Sequence, residues 1–141
     1  RTGVMSVFGD GVLEEGRIRG AKGGRKRFCF VGTGLLHLEP DGRVYPCSSL
    51  LDAALELGRV EPASVTESLM EIWMHSGVLA AVRKLTVENL ASCRDCDISS
   101  LCAGGCRSAA YWATGSLSGD YPYCWLHREL WRNRESLACK P

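Results

Sequence analysis

The cysteines constrain this chain more than any other feature. Cys93-Arg94-Asp95-Cys96 is followed after five residues by Cys102, and after Ala103-Gly104-Gly105 by Cys106. Upstream, Cys29 and Cys47 flank a strand–turn–strand pattern; downstream, Cys124 closes the set in Tyr121-Pro122-Tyr123-Cys124. Thiolates grouped in this way are soft ligands and select soft metal centres over hard cations. A chain carrying them is expected to fold so that its loops converge on metal.

With 141 residues the chain is long enough for one domain of ordinary size, and a hydrophobic fraction of 45% allows a packed core. The net charge of +1 gives no bulk attraction to nucleic acid or membrane. No apolar run is long enough to span a bilayer, and no apolar signal segment precedes the cysteines. Eight cysteines in a secreted chain would suggest a disulfide framework. Without a secretory signal, metal ligation in a reducing compartment is expected instead, and with it a cytoplasmic location. The chain begins at Arg1 rather than Met, which leads us to expect a piece of a larger protein.

Several local patterns can be placed. Residues 1–28 carry Arg17, Arg19, Lys22, Arg25, Lys26 and Arg27 among glycines, the composition of a connector. Residues 34–47 read as a β-hairpin, with Leu36, Leu38 and Val44 apolar and Pro40-Asp41-Gly42 as its turn. Gly42 is expected to take a positive φ. A short helical piece is expected near Leu50–Leu57, stopped by Gly58. Ser64-Val65-Thr66-Glu67 fits a capping box ahead of a helix with Leu69, Ile72 and Trp73 on one face. Ser76 restarts a second helix through Val78, Leu79, Val82 and Leu85. Further helices are expected over Arg107–Thr114, ended by Gly115, and over Cys124–Ser136 with Leu126, Leu130 and Trp131 inward.

The two-residue gap between Cys93 and Cys96 lets a tight turn present two thiolates to one centre, which suits zinc and iron–sulfur equally. The later spacings favour a bulkier group. Gly104 and Gly105 allow close backbone approach and can offer N–H donors to an inorganic sulfide. A compact zinc site rarely uses so many thiols and so little histidine. His37, His75 and His127 lie outside the array and read as surface or half-buried side chains. Arg94 and Arg107 flank cysteines, either as tuning charges or as solvent-facing ones. Tyr111, Trp112, Tyr121, Tyr123 and Trp125 read as shielding and core.

This pattern resembles the SPASM domain, the auxiliary-cluster domain of many radical S-adenosylmethionine enzymes. The resemblance rests on Cys29, Gly42 and Cys47, on Cys93, Cys96, Cys102 and Cys106, and on Cys124. Leu57-Gly58-Arg59-Val60, Ser68–Trp73 and Cys102-Ala103-Gly104-Gly105-Cys106-Arg107 add to it. It covers about residues 29 to 127. It implies an α+β fold, a small β-hairpin followed by helices and loops wrapped around two 4Fe–4S clusters. Residues 128–141 would form a C-terminal helix and tail. Carried across, Cys93, Cys96, Cys102 and Cys124 would hold one cluster, and Cys29, Cys47 and Cys106 the other. Some relatives add an upstream cysteine to that second set; residues 1–28 contain none. Cys139 is the spare thiol that could serve there, or a terminal cysteine with no such role.

A radical-generating cluster in this superfamily uses three cysteines at three- and two-residue gaps. Cys102 and Cys106 have the first gap, but position 109 is alanine. The chain therefore lacks the S-adenosylmethionine-cleaving triplet and is expected to be a non-initiating domain. Its partner would be an upstream radical S-adenosylmethionine domain, through which alone that cofactor would enter. The clusters would transfer electrons or bind substrate during modification of a peptide or protein, or less often of a tetrapyrrole. The alternative is a free-standing metal-binding recognition module, with zinc or one cluster and no catalysis.

Overall fold

The computed structural model describes residues 3–5, as backbone strand, and residues 29–133. The basic stretch, Cys139 and the expected helix beyond 133 lie outside the described residues. The fold is α+β, and contacts divide it into two compact units. One contains Phe30–Lys84, and the other contains Cys29 and the chain from Leu85 onward.

The first unit is built on a small antiparallel sheet of β1 (Gly3–Met5), β2 (Leu36–Leu38), β3 (Arg43–Tyr45) and β4 (Gly58–Arg59), in that order. The expected hairpin is β2–β3, with His37 opposite Tyr45 and Leu38 opposite Val44. Its turn closes through Gly42 N–H to Glu39 O at 3.0 Å. Asp41 accepts from the backbone N–H of Arg43 at 3.1 Å and from its Nε at 2.7 Å. Those two bonds, the backbone one first, hold the Asp41 carboxyl below its usual range.

Gly42 does take a positive φ, +90°, and a Cβ there would stand 2.9 Å from the carbonyl oxygen of Val60. Gly42→Ala should therefore destabilise this unit by about 1–3 kcal/mol. A thermal melt of the anaerobically reconstituted protein checks this; an unchanged midpoint would show that the turn relaxes freely.

The short helical piece expected near Leu50–Leu57 is a 3-10 turn over Ala53–Leu55, capped by Asp52 Oδ1 accepting from Ala54 N–H at 2.9 Å. The following backbone is taken by the sheet: Leu57 N–H donates to Val44 O, and Val60 N–H to Gly42 O, both at 2.8 Å. Gly58 consequently opens a strand rather than closing a helix.

Helices α1 (Val65–His75) and α2 (Gly77–Arg83) follow where expected. The capping box does not close. Ser64 is the N-cap of α1 but its side chain caps no backbone N–H. Its carbonyl instead accepts from the Ser68 hydroxyl at 2.8 Å. Ser76 does cap α2, accepting from Leu79 N–H at 3.3 Å. Leu36, Val44, Val60, Ile72 and Leu79 form the buried core, with Leu38, Leu57, Leu69 and Trp73 packed against it. Arg83 closes this unit from one side. Its guanidinium donates to Gly32 O and Trp73 O at 2.7 Å each and lies 4.8 Å from the Trp73 ring centroid.

The second unit is helices and turns over residues 85–133: α3 (Ser99–Cys102), α4 (Arg107–Thr114) and α5 (Cys124–Arg132). Gly115, at φ +76°, ends α4 as expected. The buried hydrophobic residues described here are Leu90, Cys93, Ile98, Ala103 and Ala110. So small an apolar core is usually supplemented by disulfides or metal. None of the seven described cysteines is in a disulfide.

Candidate metal centre

The array is carried by a series of turns. Cys93 N–H donates to Leu90 O, Cys96 N–H to Cys93 O, and Ser99 N–H to Cys96 O, at 2.9, 3.2 and 3.1 Å. The two-residue gap is thus one closed turn with a thiol at each end. One short helix later, Cys102 ends α3. Ala103, Gly104 and Gly105 then run through φ of +51°, +87° and +64°, reversing the chain into Cys106, the N-cap of α4. Side chains explain the two glycines here. A Cβ on Gly104 would meet Leu90 at 2.8 Å, and one on Gly105 would meet the Tyr121 ring at 2.5–2.8 Å.

Cys93, Cys96, Cys102 and Cys124 are neighbours within this unit. Burial pushes the Cys102 thiol up, and Cys124, Cys93 and Cys96 push it further, against the N–H of Gly104. Burial likewise raises Cys124, with Cys93 and Cys96 adding to it and Arg128 opposing. Cys102 and Cys124, raised in this way, cannot both ionise cheaply unless cations lie among the thiols. Among the described residues, no three His, Cys, Asp or Glu side chains converge where a single ion would be held. A cluster makes a different demand, since each thiolate takes its own iron. The donor set, four neighbouring thiols with the Asp97 carboxylate 3.8 Å from Cys96 Sγ, is rich enough in sulfur to fit an iron–sulfur cluster.

Cys106 behaves oppositely. Burial raises its thiol, but the Ser108 hydroxyl at 3.0 Å, the N–H groups of Ala109 and Ser108, and Arg107 together bring it below the usual range. Those N–H groups favour the thiolate without closing a formal cap. The start of α4 thus favours the thiolate form of Cys106. Cys47 belongs to the first unit, just beyond β3, and Cys29 is grouped with the second.

Several expectations about neighbouring side chains are corrected. Arg107 is 4% exposed rather than solvent-facing, whereas Arg94 is exposed. Arg107 donates to Gly119 O at 3.0 Å, to Leu117 O at 3.3 Å and, in a short contact, to Gly104 O. His37 is buried, with Nε2 on the Glu39 carboxylate. Trp112, Tyr123 and Trp125 are exposed and cannot be core, while Tyr111 and Tyr121 are half-buried. Leu130 and Trp131 do not turn inward. They stay partly exposed and, with Ile98, Leu101, Cys102 and His127, line a cavity of about 360 Å³. Tyr121, expected as a shielding ring, is half-buried beside the cysteines. Burial raises its hydroxyl, and Cys106 and Cys102 add to the effect, so the ring stands beside both thiols. Its signal was Gly105, whose missing Cβ makes room for that ring.

No described helix is long and apolar enough to cross a membrane. Residues 29–97 match the SPASM iron–sulfur cluster-binding domain. An uncharacterized protein of Archaeoglobus fulgidus is 30% identical over 108 residues, covering 77% of this chain and 23% of that protein. An "AdoMet-dependent heme synthase" of Methanosarcina barkeri is 34% identical over 96 residues, 68% of this chain and 25% of that protein. A protein of the same name from Nitratidesulfovibrio vulgaris is 32% identical over 98 residues, 70% of this chain and 24% of that protein. The chain thus spans about a quarter of the length of these relatives. No solved structure matches it at a significant level. Spacing, thiol grouping and family match agree, and residues 29–97 carry the SPASM iron–sulfur cluster-binding domain.

Proposed function

We propose that this chain holds two 4Fe–4S clusters in the service of an upstream radical S-adenosylmethionine domain. The observation that carries this reading is the grouping of Cys93, Cys96, Cys102 and Cys124 in one small unit. These four would hold one cluster. Cys29, Cys47 and Cys106 would hold the other, with Cys139 or a substrate atom as its fourth ligand. When bound, such clusters supply reversible one-electron transfer, at potentials set by burial, charge and hydrogen bonds. The protein's part is to fix the thiols, exclude water and place Arg107 and the α4 N–H groups near Cys106. Because the second unit has little apolar core, cluster binding would also contribute to its folding.

Two substrate classes follow from the family. A peptide or protein was the first expectation from the resemblance. The names of the two haem synthase relatives weigh instead for a tetrapyrrole, and we adopt that reading. Incubating the full-length enzyme anaerobically with S-adenosylmethionine and either a porphyrin precursor or a peptide separates the two classes by the mass of the product.

Iron and sulfide analysis after anaerobic reconstitution tests the clusters themselves. About eight irons and matching sulfide per chain are expected. Zinc without sulfide would instead favour a recognition module. Cys106→Ala should damage the cluster shared with Cys29 and Cys47 and spare the other. Loss only of the signal that depends on Cys93 and Cys96 would overturn the crossed assignment.

A further inference from the structure

Helix α5 brings more than a thiol to the cysteine quartet. Cys124 is its first residue, and His127 and Arg128 follow at three and four positions, on the same face. His127 Nδ1 lies 3.2 Å from Cys102 Sγ. Cys96 first, with Asp97 and Cys124, favours the charged form of the Arg128 guanidinium. One helical turn thus supplies one thiol of the four and touches a second.

The imidazole is held in place. The Tyr121 ring meets it edge-on, with centroids 5.2 Å apart at 66°. Ile98, Leu101, Leu130 and Trp131 form apolar walls around the cavity that His127 and Cys102 share.

A metal-bound thiolate carries no proton, so the Cys102 sulfur can only accept there, and Nδ1 must be the nitrogen that carries hydrogen. Donors and cations at ligand sulfurs stabilise the more negative, reduced state of a cluster. We propose that His127 is a positioning residue for the cluster held by Cys93, Cys96, Cys102 and Cys124. It donates Nδ1–H to Cys102 and makes that cluster easier to reduce. The proposal rests on the ligand assignment above.

The test is a redox titration of the anaerobically reconstituted chain followed by electron paramagnetic resonance, with iron and sulfide measured on each sample. Cys96→Ala identifies which signal belongs to this cluster. His127→Phe keeps the ring and removes the donor. His127→Asn keeps an N–H close to the position of Nδ1. With iron content unchanged, His127→Phe should shift the reduction equilibrium about tenfold toward the oxidised state, roughly 59 mV for a one-electron couple. His127→Asn should recover most of the histidine effect. Unchanged midpoints at full iron content would overturn the proposal and leave the ligand assignment standing. Loss of iron in His127→Phe would overturn it too, by making His127 a ligand. If Cys96→Ala loses no iron, the ligand assignment itself has failed.

Discussion

Replacing Cys96 with alanine is expected to remove about half of the iron and sulfide, about four of some eight irons per chain, and to leave the other cluster in place. Cys96 ends the turn that begins at Cys93, and its thiol lies among those of Cys102 and Cys124. Removing one thiol leaves one corner of a cubane without a protein ligand. The remaining three are separate loops that the cluster itself would hold together. The effect should therefore be loss of the whole cluster. Iron, acid-labile sulfide and visible absorbance, measured against the unsubstituted chain after the same anaerobic reconstitution, give the answer. Full iron retention would remove Cys96 from the ligand set. Complete iron loss would show that the two sites do not form independently.

Arg107→Met should be the most damaging change outside the cysteines. The guanidinium ties the left-handed 103–105 segment to the loop after α4 through the carbonyls of Gly104, Leu117 and Gly119. Methionine fills a similar volume but donates nothing, so buried carbonyls lose their donor, at about 1–3 kcal/mol for each that stays dry. A total near 3 kcal/mol is expected. Arg107→Lys should recover little, because one ammonium cannot match a planar fork reaching three acceptors. Thermal midpoints of the reconstituted variants, and the rate at which a chelator extracts their iron, measure this. A Met variant that melts with the parent and holds its iron as long would show that the clamp is dispensable.

The errors in reading the sequence share one cause. Beyond the Ala53–Leu55 turn, Leu57 and Val60 bond to the sheet, so Gly58 opens a strand. Leu130 and Trp131 have the spacing of a buried stripe, yet they line an open groove with Cys102 and His127. Ser64 is placed correctly as a helix start, but its hydroxyl stands 3.4 Å from Ser68 Oγ and caps no backbone N–H.

What the sequence determined by itself was local. Cysteine spacing, the Gly42 turn, the starts of α1 and α2 and the Gly115 stop depend on residues only a few positions apart. Their physics is steric and hydrogen-bonding over one or two turns of chain. Thiol spacing also indicated a soft metal centre, because ligand softness belongs to the residue rather than to the fold; the choice of iron–sulfur came with the family resemblance. Tertiary structure alone decided the surroundings of the thiols. It buried Arg107, laid Tyr121 over Gly105 and set His127 against Cys102. Each of these pairs residues distant in the chain, or turns on which face of a helix is covered. Such choices follow from packing the whole unit, and no local pattern encodes them.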